Sequence, residues 1–325
     1  MAKLTDTRIT SVFVHSSESA LLCAAGDKIG NLGLWLVNEK GENGIYKFRP
    51  HSSNICRIWA APQQPSRIMT GSYDGTIRCL DLDSAKPSFV LKHCSTDSMD
   101  DMYYTDVSES KNSNVLFASR SDCNICAIDT RQPAAAYAWL TASRVEKGGS
   151  GVKMNSVQEH PHDSNTLLAA GAGGSVVIFD LRKTLAPVRS LDGHTKSVNA
   201  AYFSPSGDFI VSVGQDDSVR TWSNFLGATL LVTVTRHDNH TGRWLSTFRP
   251  AFHPTLLNTF VLGSMDRPRK INVWECSDSA GKPQLSLVSS IKGDYVGSVC
   301  SRNAFHPTLN VIAGANSSGR VHIAR

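Results

Sequence analysis

The chain has 325 residues, of which 41% are hydrophobic and 19% charged, a composition that supports a full-sized buried core and excludes a disordered tail. Lysine and arginine number 33 against 28 aspartates and glutamates, so the formal net charge of +5 permits a polyanionic partner but excludes a histone-like basic tail. No apolar run reaches the roughly 18 residues that a membrane-spanning helix needs, and the first residues lack the apolar segment of a signal peptide. No membrane association is expected.

One unit recurs seven times along the sequence. Each copy has a pair of small residues, a short polar turn and an alternating strand that ends in a bulky side chain, and successive copies lie 43 to 52 residues apart. This period is typical of a WD40 blade, which has four strands. The sequence therefore predicts an all-β fold, a seven-bladed WD40 β-propeller. The bulky strand ends are Trp35, Leu80, Ile128, Phe179, Trp222, Trp274 and Ile323.

A single propeller domain is predicted over residues 1–325. In chain order, the blades are expected at residues 8–50, 51–92, 93–141, 142–192, 193–235, 236–292 and 293–325, and residues 1–7 are expected to complete the last blade with its outer strand. Several blades have a proline between their first two strands, where it marks a turn because proline cannot donate to a β ladder. His160, His253 and His306 precede such prolines and are predicted to be structural turn residues. We also expect the sequence to be one domain of a longer protein.

Motifs for catalysis are missing from the sequence. There is no Gly-x-Ser-x-Gly elbow, no phosphate-binding Gly-Lys-Ser/Thr loop and no His-Glu-x-x-His, so we expect no enzyme activity and no cofactor. The eight cysteines are too dilute for a disulfide scaffold. Cys123 and Cys126, three residues apart on a predicted strand, are expected to be core thiols and not zinc ligands. His237 and His240 have a spacing that a metal could use, but no third ligand is evident and no metal is predicted.

Cations at equivalent positions of different blades are the main candidate site. Five residues before a turn proline stand Arg57, Arg249 and Arg302, and a propeller would bring such positions onto one ring around its axis. A positive ring predicts contacts with nucleic-acid phosphates; ordinary solvated surface charges are the alternative. Further cations expected on the same face are Lys28 and Arg120 in turns, Arg8, Lys153 and Lys196 at strand entrances, and Arg243.

The segment from Arg236 to Trp244 combines polar and basic residues with a glycine and a large aromatic side chain. As a loop tip, it could insert Trp244 between bases while Arg243 meets phosphates, as in proteins that unstack DNA. Trp244 could equally anchor the first strand of the sixth blade, and the sequence pattern favours the anchor.

Two blades end their third strand with an acid followed two residues later by arginine. These pairs are Asp129 with Arg131 and Asp180 with Arg182. At the bottom rim of a blade, such an arginine could bind a carboxylate or carbonyl of a partner protein. A salt bridge within the propeller is the alternative, and the spacing favours neither.

With these residues in hand, the chain resembles the WD40 family that includes the small, damage-recognising subunit of the UV-damaged DNA-binding complex, and in particular its changed-mutagen-sensitivity branch. The likeness covers nearly all of the predicted propeller, and its most specific stretches run from His237 to Leu245 and from Arg249 to Pro254. It implies DNA contacts for Arg8, Lys28 and Lys153, and it places Arg243 and Trp244 where the damage-recognising subunit has its wedge hairpin. The wedge residues themselves differ.

The resemblance also implies partners. Phe179, Asp180 and Arg182 are similar to the Asp-x-Arg box of substrate receptors of cullin-4 ubiquitin ligases, with Phe179 in the place of tryptophan. The expected protein is a nuclear, monomeric, non-catalytic partner of damaged or modified duplex DNA. Its protein partners would be the large adaptor subunit of the UV-damaged DNA-binding complex with cullin-4, and chromatin proteins. A scaffold that reads a peptide or histone tail is the alternative.

Overall fold

A computed structural model describes residues 1–39, 44–60, 63–84, 86–92, 103–111, 114–131, 137–141, 153–183, 186–227, 229–279, 281–293 and 296–325. Their contacts group them into two compact units. The first unit comprises residues 1–90, 241–274 and 287–325, and the second comprises residues 91–240 and 275–286. Regular structure in these residues is almost entirely β-strand, and none of them belongs to a helix long and apolar enough to cross a membrane.

The strands of the first part of the chain form two four-stranded sheets, in the orders β2-β3-β4-β5 and β6-β7-β8-β9. Adjacent strands pair antiparallel, an arrangement that allows short connections between them. The strands are β1 (Ala2–Lys3), β2 (Ile9–Val14), β3 (Leu22–Asp27), β4 (Leu32–Leu36), β5 (Ile45–Phe48), β6 (Ile55–Ala60), β7 (Arg67–Ser72), β8 (Thr76–Asp81) and β9 (Lys86–Lys92).

The middle of the chain, within the second unit, adds three sheets, each with four strands in sequence order. The strands are β10 (Tyr104–Glu109), β11 (Val115–Arg120), β12 (Asn124–Asp129), β13 (Tyr137–Thr141), β14 (Met154–Glu159), β15 (Thr166–Gly171), β16 (Val176–Asp180), β17 (Arg189–Leu191), β18 (Val198–Phe203), β19 (Ile210–Gly214), β20 (Ser218–Ser223) and β21 (Leu231–Arg236).

The last part of the chain completes two more sheets, β22-β23-β24-β25 and β1-β28-β27-β26. In the second of these, Ala2 and Lys3 of β1 pair with Val321 and Arg320 of β28. Seven four-stranded sheets make the fold an all-β, seven-bladed propeller. The strands are β22 (Ala251–Phe252), β23 (Thr259–Gly263), β24 (Ile271–Ser279), β25 (Lys282–Ile291), β26 (Cys300–Phe305), β27 (Ile312–Asn316) and β28 (Arg320–Ala324).

An irregularity recurs near the start of the innermost strands. In β6, for example, the pairing register shifts between Ile55 and Arg57, and the same shift occurs in β2, β10, β14, β18 and β26. A bulge of this kind turns the following side chain in a new direction. The residues that follow it are Ser11, Arg57, Asp106, Ser156, Ala200 and Arg302.

Histidines beside the turn prolines have the structural role that the sequence predicted. The ring nitrogen Nδ1 of His160 accepts the amide protons of His162 and Asp163, and Nδ1 of His306 accepts those of Thr308 and Leu309. His253 caps its turn in the same way. These side chains satisfy turn amides that would otherwise lack an acceptor.

A buried polar cluster connects the loop before β18 with β19, β20 and the turn between them in the fifth blade. Nδ1 of His194 lies 3.0 Å from Oδ1 of Asp216, and Nε2 lies 2.8 Å from the hydroxyl of Ser212. The indole N–H of Trp222 donates to the same hydroxyl at 2.8 Å. Because the side-chain polar atoms of this cluster have hydrogen-bond partners, these bonds offset the cost of burying them. His51, Asp74 and Thr70 repeat most of the arrangement in the second blade.

The pH dependence of stability follows from these histidines. Burial lowers the pKa of His160, His194, His253 and His322 below the ordinary value of 6.5. The unfolded chain therefore binds protons more readily, so the free energy of unfolding falls as the pH drops below about 6.5. We expect a lower urea midpoint at pH 5.5 than at pH 7.5, measured by tryptophan fluorescence. An unchanged or higher midpoint at pH 5.5 would contradict this.

The prediction for Cys123 and Cys126 was correct in outcome but wrong in its reason. Both are buried free thiols, and burial raises the pKa of Cys126 to about 12. Cys123, however, is not on the strand: it lies in the turn before β12 with a φ of 71°. This left-handed position is filled by Gly30, Gly75, Gly174 and Gly319 in the corresponding turns of other blades.

Candidate nucleic-acid interface

A loop in the first unit presents Trp244 to solvent. Its side chain is 72% exposed, more than any other large hydrophobic side chain among the described residues. Gly242 has a φ of 56° with open space around its Cα, and the amide of Leu245 donates to the carbonyl of Thr241 at 3.4 Å. The turn therefore projects Trp244 outward, and the expectation that it anchors the sixth blade is wrong. β22 begins only at Ala251, seven residues later.

The guanidinium of Arg243 lies over the indole of Trp244, 4.7 Å from the ring centroid. This cation–π contact restricts both side chains, while most of the Trp244 side chain stays exposed to solvent. An exposed aromatic face beside a cation is the pairing that stacks on bases and meets phosphates.

Arg8 fastens this loop to the first blade. Its Nη1 donates to the carbonyls of Arg243 at 2.5 Å and of Leu245 at 3.1 Å. The hydroxyl of Ser246 donates to the carbonyl of Ile9 at 2.6 Å. Arg8 was predicted to contact DNA directly, but its guanidinium faces loop carbonyls, so it positions the Trp244 loop and adds positive charge at its base.

Lys28 stands beside Arg8 in the β3–β4 turn. Its side chain is exposed, and its amide donates to the carbonyl of Arg8 at 3.1 Å. The neighbouring Asp27 is fully buried, and its carboxylate accepts hydrogen bonds from the side chains of Thr7 and Asn31 and from the amide of Ile29. The carboxylate of Asp27 is therefore hydrogen-bonded to neutral donors and not to Lys28, whose side chain faces solvent.

The three arginines predicted to form a ring all belong to the first unit, and their surroundings differ. Arg57 is exposed and Arg249 half-buried. Arg302 points inward: its Nε donates to the carbonyl of Thr10 at 2.8 Å, so it links blades as well as carrying charge. In the second unit, Asp106 fills the position after the bulge that Arg57 and Arg302 fill in the first, and its carboxylate accepts a hydrogen bond from the hydroxyl of Tyr202 at 2.8 Å. The position is thus not uniformly basic.

Three predicted cations lie in the second unit. Arg120 is buried, and its Nη2 donates to Asp122 at 2.5 Å, so the prediction that it binds DNA is wrong because its charge is neutralised inside the protein. Nζ of Lys153 lies 5.1 Å from the ring centroid of Tyr103. Lys196 is exposed in the turn before β18. Lys153 and Lys196 remain candidates.

Four cations of the first unit have no carboxylate partner within the described ranges. Among the described residues, the side chains of Arg8, Lys28, Arg57 and Arg243 form no ion pair with a carboxylate. Their charges are available to neutralise an external anion. The loop and these cations define the Trp244 surface: Arg8, Lys28, Arg57, Arg243 and Trp244.

The histidines preceding the loop do not assemble a metal centre. Nδ1 of His237 lies 2.7 Å from Oδ1 of Asn239, and the amide of His240 donates to Asp238. No group of three or more His, Cys, Asp or Glu side chains gathers for a metal in the part of the chain that is described.

The two acid–arginine pairs of the second unit have nearly identical geometry. Nε of Arg182 donates to Oδ1 of Asp180 at 2.9 Å and Nη2 donates to Oδ2 at 3.0 Å; Arg131 makes the same fork onto Asp129. These hydrogen bonds lower the pKa of each aspartate to about 2. The salt bridge is thus internal to the blade, yet the side chains of Arg182 and Arg131 stay 68% and 64% exposed.

One cluster of basic residues was not predicted from the sequence. Arg267, Arg269 and Lys292 line an open cavity of about 610 Å³ in the first unit. In the sequence, this cluster is visible as the basic run Arg267-Pro268-Arg269-Lys270, which does not coincide with the positions five residues before a turn proline.

Two comparisons with known proteins agree on the class of protein to which the chain belongs. The WD domain, G-beta repeat, matches residues 43–81 and 185–223. Among solved structures, the β-propeller domain of Cps50 (Swd1) from Myceliophteria thermophila aligns with a TM-score of 0.73 and 18% identity, covering 99% of this chain and 98% of that one. The chain is therefore a WD40-repeat protein.

Curated relatives narrow this class. WD repeat-containing protein 76 of Xenopus laevis is 39% identical over 99% of this chain and 54% of its own length, and that of Mus musculus is 33% identical over 99% and 50%. DNA damage-binding protein CMR1 of Vanderwaltozyma polyspora is 28% identical over 99% and 62%. The chain belongs to the WD40 family of these homologues, and it spans about half the length of the relatives named WD repeat-containing protein 76.

Proposed function

We propose that the protein is a non-catalytic, nuclear DNA-binding propeller that uses the Trp244 surface to bind damaged or modified duplexes. The observation that carries the proposal is the exposed indole of Trp244, which lies beneath the guanidinium of Arg243 on a loop whose backbone is bound by Arg8. The name of the CMR1 relatives, DNA damage-binding protein, supports it.

Phosphate attraction and stacking have separate parts in this proposal. Lys28, Arg57 and Arg243 neutralise backbone phosphates, and this term is independent of sequence. Trp244 stacks on a base, which is easiest where damage or modification has already weakened the base stack. The cations therefore set affinity, and Trp244 sets preference for distorted sites.

Replacing Trp244 by alanine tests the stacking part. Loss of a stacked aromatic side chain costs about 1–3 kcal/mol, so Trp244→Ala is expected to weaken binding to a mismatched duplex by about 5- to 150-fold. Fluorescence anisotropy with a labelled duplex measures this. The matched control is Tyr46→Ala, which removes a half-exposed aromatic residue from the outer strand β5 and should leave affinity unchanged.

Equal affinities of wild type and Trp244→Ala for mismatched DNA would overturn the stacking role. The main alternative, a scaffold that reads a peptide or histone tail, is tested by measuring the binding of a histone-tail peptide to the same immobilised protein. Tight peptide capture together with weak DNA binding would favour a peptide-reading scaffold instead.

We further propose that the second unit docks a protein adaptor, namely the large adaptor subunit of the UV-damaged DNA-binding complex with cullin-4. Arg182 is fixed by its fork onto Asp180 while its guanidinium stays exposed. A side chain already held in one geometry loses little entropy on binding, which is typical of an interface anchor. Asp129 and Arg131 provide a second, equivalent anchor.

Charge reversal tests the adaptor. Arg182→Glu is expected to reduce co-purification with the adaptor by about tenfold or more, because it removes an anchor and sets two carboxylates together. Lys183→Glu is the matched control, since Lys183 is equally exposed and only 3.8 Å from Asp180. Unchanged recovery of the adaptor with Arg182→Glu would reject the interface.

A further inference from the structure

An exposed isoleucine lies at the tip of the β3–β4 turn in the first unit. The side chain of Ile29 is 40% exposed, and the next residue, Gly30, has a φ of 92°. The strand register places a left-handed residue at the same turn position in five other blades. Among these six described turns, only that of the first blade has a large apolar side chain before the left-handed residue. The residues that fill the position of Ile29 elsewhere are Asp74, Asp122, Gly173, Asp216 and Ser318.

Ile29 is not needed to cap its own turn, because another residue supplies the capping carboxylate. In the second blade, the residue before the glycine is the cap: Oδ1 of Asp74 accepts a hydrogen bond from the amide of Thr76 at 3.0 Å. In the first blade, Oδ1 of Asp27 accepts hydrogen bonds from the amides of Ile29 at 3.0 Å and Asn31 at 2.9 Å. The turn therefore tolerates an apolar side chain at its tip, and contact with a partner would remove that side chain from water at a gain in free energy.

Arg8 joins this turn to the Trp244 loop. Its carbonyl accepts a hydrogen bond from the amide of Lys28 at 3.1 Å, while its Nη1 donates to the carbonyl of Leu245 at 3.1 Å. One residue thus contacts the backbone of both segments. The exposed side chains of Ile29 and Trp244 are therefore carried by two segments that lie against the start of the same strand, β2.

In each segment, a cation directly precedes the exposed apolar side chain. Lys28 precedes Ile29, and Arg243 precedes Trp244. Both cations are exposed, and neither forms an ion pair with a carboxylate of a described residue. Nucleic acid presents the complementary combination, because its charged phosphates flank the apolar faces of its bases.

We propose that Ile29 is a second wedge residue, which enters a base step beside the base on which Trp244 stacks. The inference rests on the proposed DNA binding by the Trp244 surface and names its substrate class: duplexes whose stacking is open over more than one step, such as a bulge of several nucleotides. Isoleucine is one of the apolar side chains that proteins insert between base steps, and unstacking costs a few kcal/mol per step. Bases that are already unstacked avoid this cost, so two wedges favour a wider distortion than one.

The test compares three duplexes of the same flanking sequence: an intact one, one with a single mismatch and one with a bulge of three unpaired nucleotides. The wild-type protein is expected to prefer the bulged duplex over the mismatched one by about tenfold. Ile29→Ser should lose most of this preference. Its affinity for intact duplex and the salt dependence of that affinity should stay unchanged, because no charge is altered. Fluorescence anisotropy measures each affinity, and the intact duplex also reports that each variant is folded.

Two further variants make the test specific to an apolar side chain in this turn. Ile29→Leu keeps such a side chain and should keep the preference for the bulged duplex. Leu256→Ser is the matched control, because Leu256 is 57% exposed in the β22–β23 turn of the same unit. This variant should leave the affinity for all three duplexes unchanged.

The outcomes separate this inference from the proposed function. The same preference in wild type and Ile29→Ser, with Trp244→Ala still weakening binding, would overturn the second wedge alone. Equal wild-type affinities for the bulged and mismatched duplexes would overturn the substrate class and leave the binding of DNA in place. Absence of binding to every duplex would overturn the proposed function as well. Loss of histone-tail binding by Ile29→Ser, with DNA binding unchanged, would assign the turn to a protein partner and overturn the inference.

Discussion

Charge reversal at Lys28, Arg57 and Arg243 together is expected to lower the affinity for duplex DNA by about 10²- to 10³-fold near 0.1 M salt. Each phosphate contact releases about 0.9 counterion, which makes each contact worth nearly tenfold at that salt concentration. The slope of log affinity against log salt should therefore become shallower by about 2.7. All three cations are in the first unit and have no carboxylate partner among its described residues.

The matched control reverses three cations of the same unit elsewhere. Lys3, Lys47 and Arg67 are exposed and belong to the outer strands β1 and β5 and to the start of β7. Their change to glutamate alters net charge by the same amount but should change affinity far less. If both triple variants lose affinity equally, the attraction depends on net charge and not on the Trp244 surface.

Replacement of Trp222 by alanine is expected to cost about 3–5 kcal/mol of the free energy of unfolding. Trp222 is completely buried and packs with Ile178, Val198 and Phe203. Its indole N–H also supplies a hydrogen bond to Ser212, so truncation opens a cavity and removes a donor from the buried cluster with His194. Urea unfolding followed by circular dichroism measures the loss.

Trp244→Ala is the matched control for this prediction. The same residue type is removed, but from an exposed position, so stability should change by less than about 0.5 kcal/mol. The two variants separate the roles: Trp222 stabilises a blade, and Trp244 serves binding. Similar destabilisation by both would mean that Trp244 is packed in solution and could not stack on a base.

Much of the fold could be predicted because it depends on local pattern. Four strands recur in every blade, and turn glycines such as Gly75 and turn prolines such as Pro254 recur in several blades. Without the amino-terminal residues, the last blade has only three strands. The site depends on where single side chains point. Arg120 turns inward to Asp122, and the sequence cannot distinguish this from an exposed cation.

Trp244 shows the same limit in the opposite direction. An aromatic residue ahead of an apolar strand usually begins that strand, but the loop before β22 is long and Gly242 turns it outward. The contact that fixes this geometry joins Arg8 to Arg243, residues 235 positions apart. Such a contact forms only when the blades have assembled, so a local sequence pattern cannot predict it.

Hydrogen–deuterium exchange of the wild-type protein with and without duplex DNA tests the central claim most directly. The account predicts that DNA slows exchange in the first unit at residues 27–31 and 241–247, the β3–β4 turn and the Trp244 loop. Residues 15–21 and 306–310, at the opposite ends of the strands, should exchange at unchanged rates. Protection of those two segments while residues 241–247 remain unprotected would contradict it.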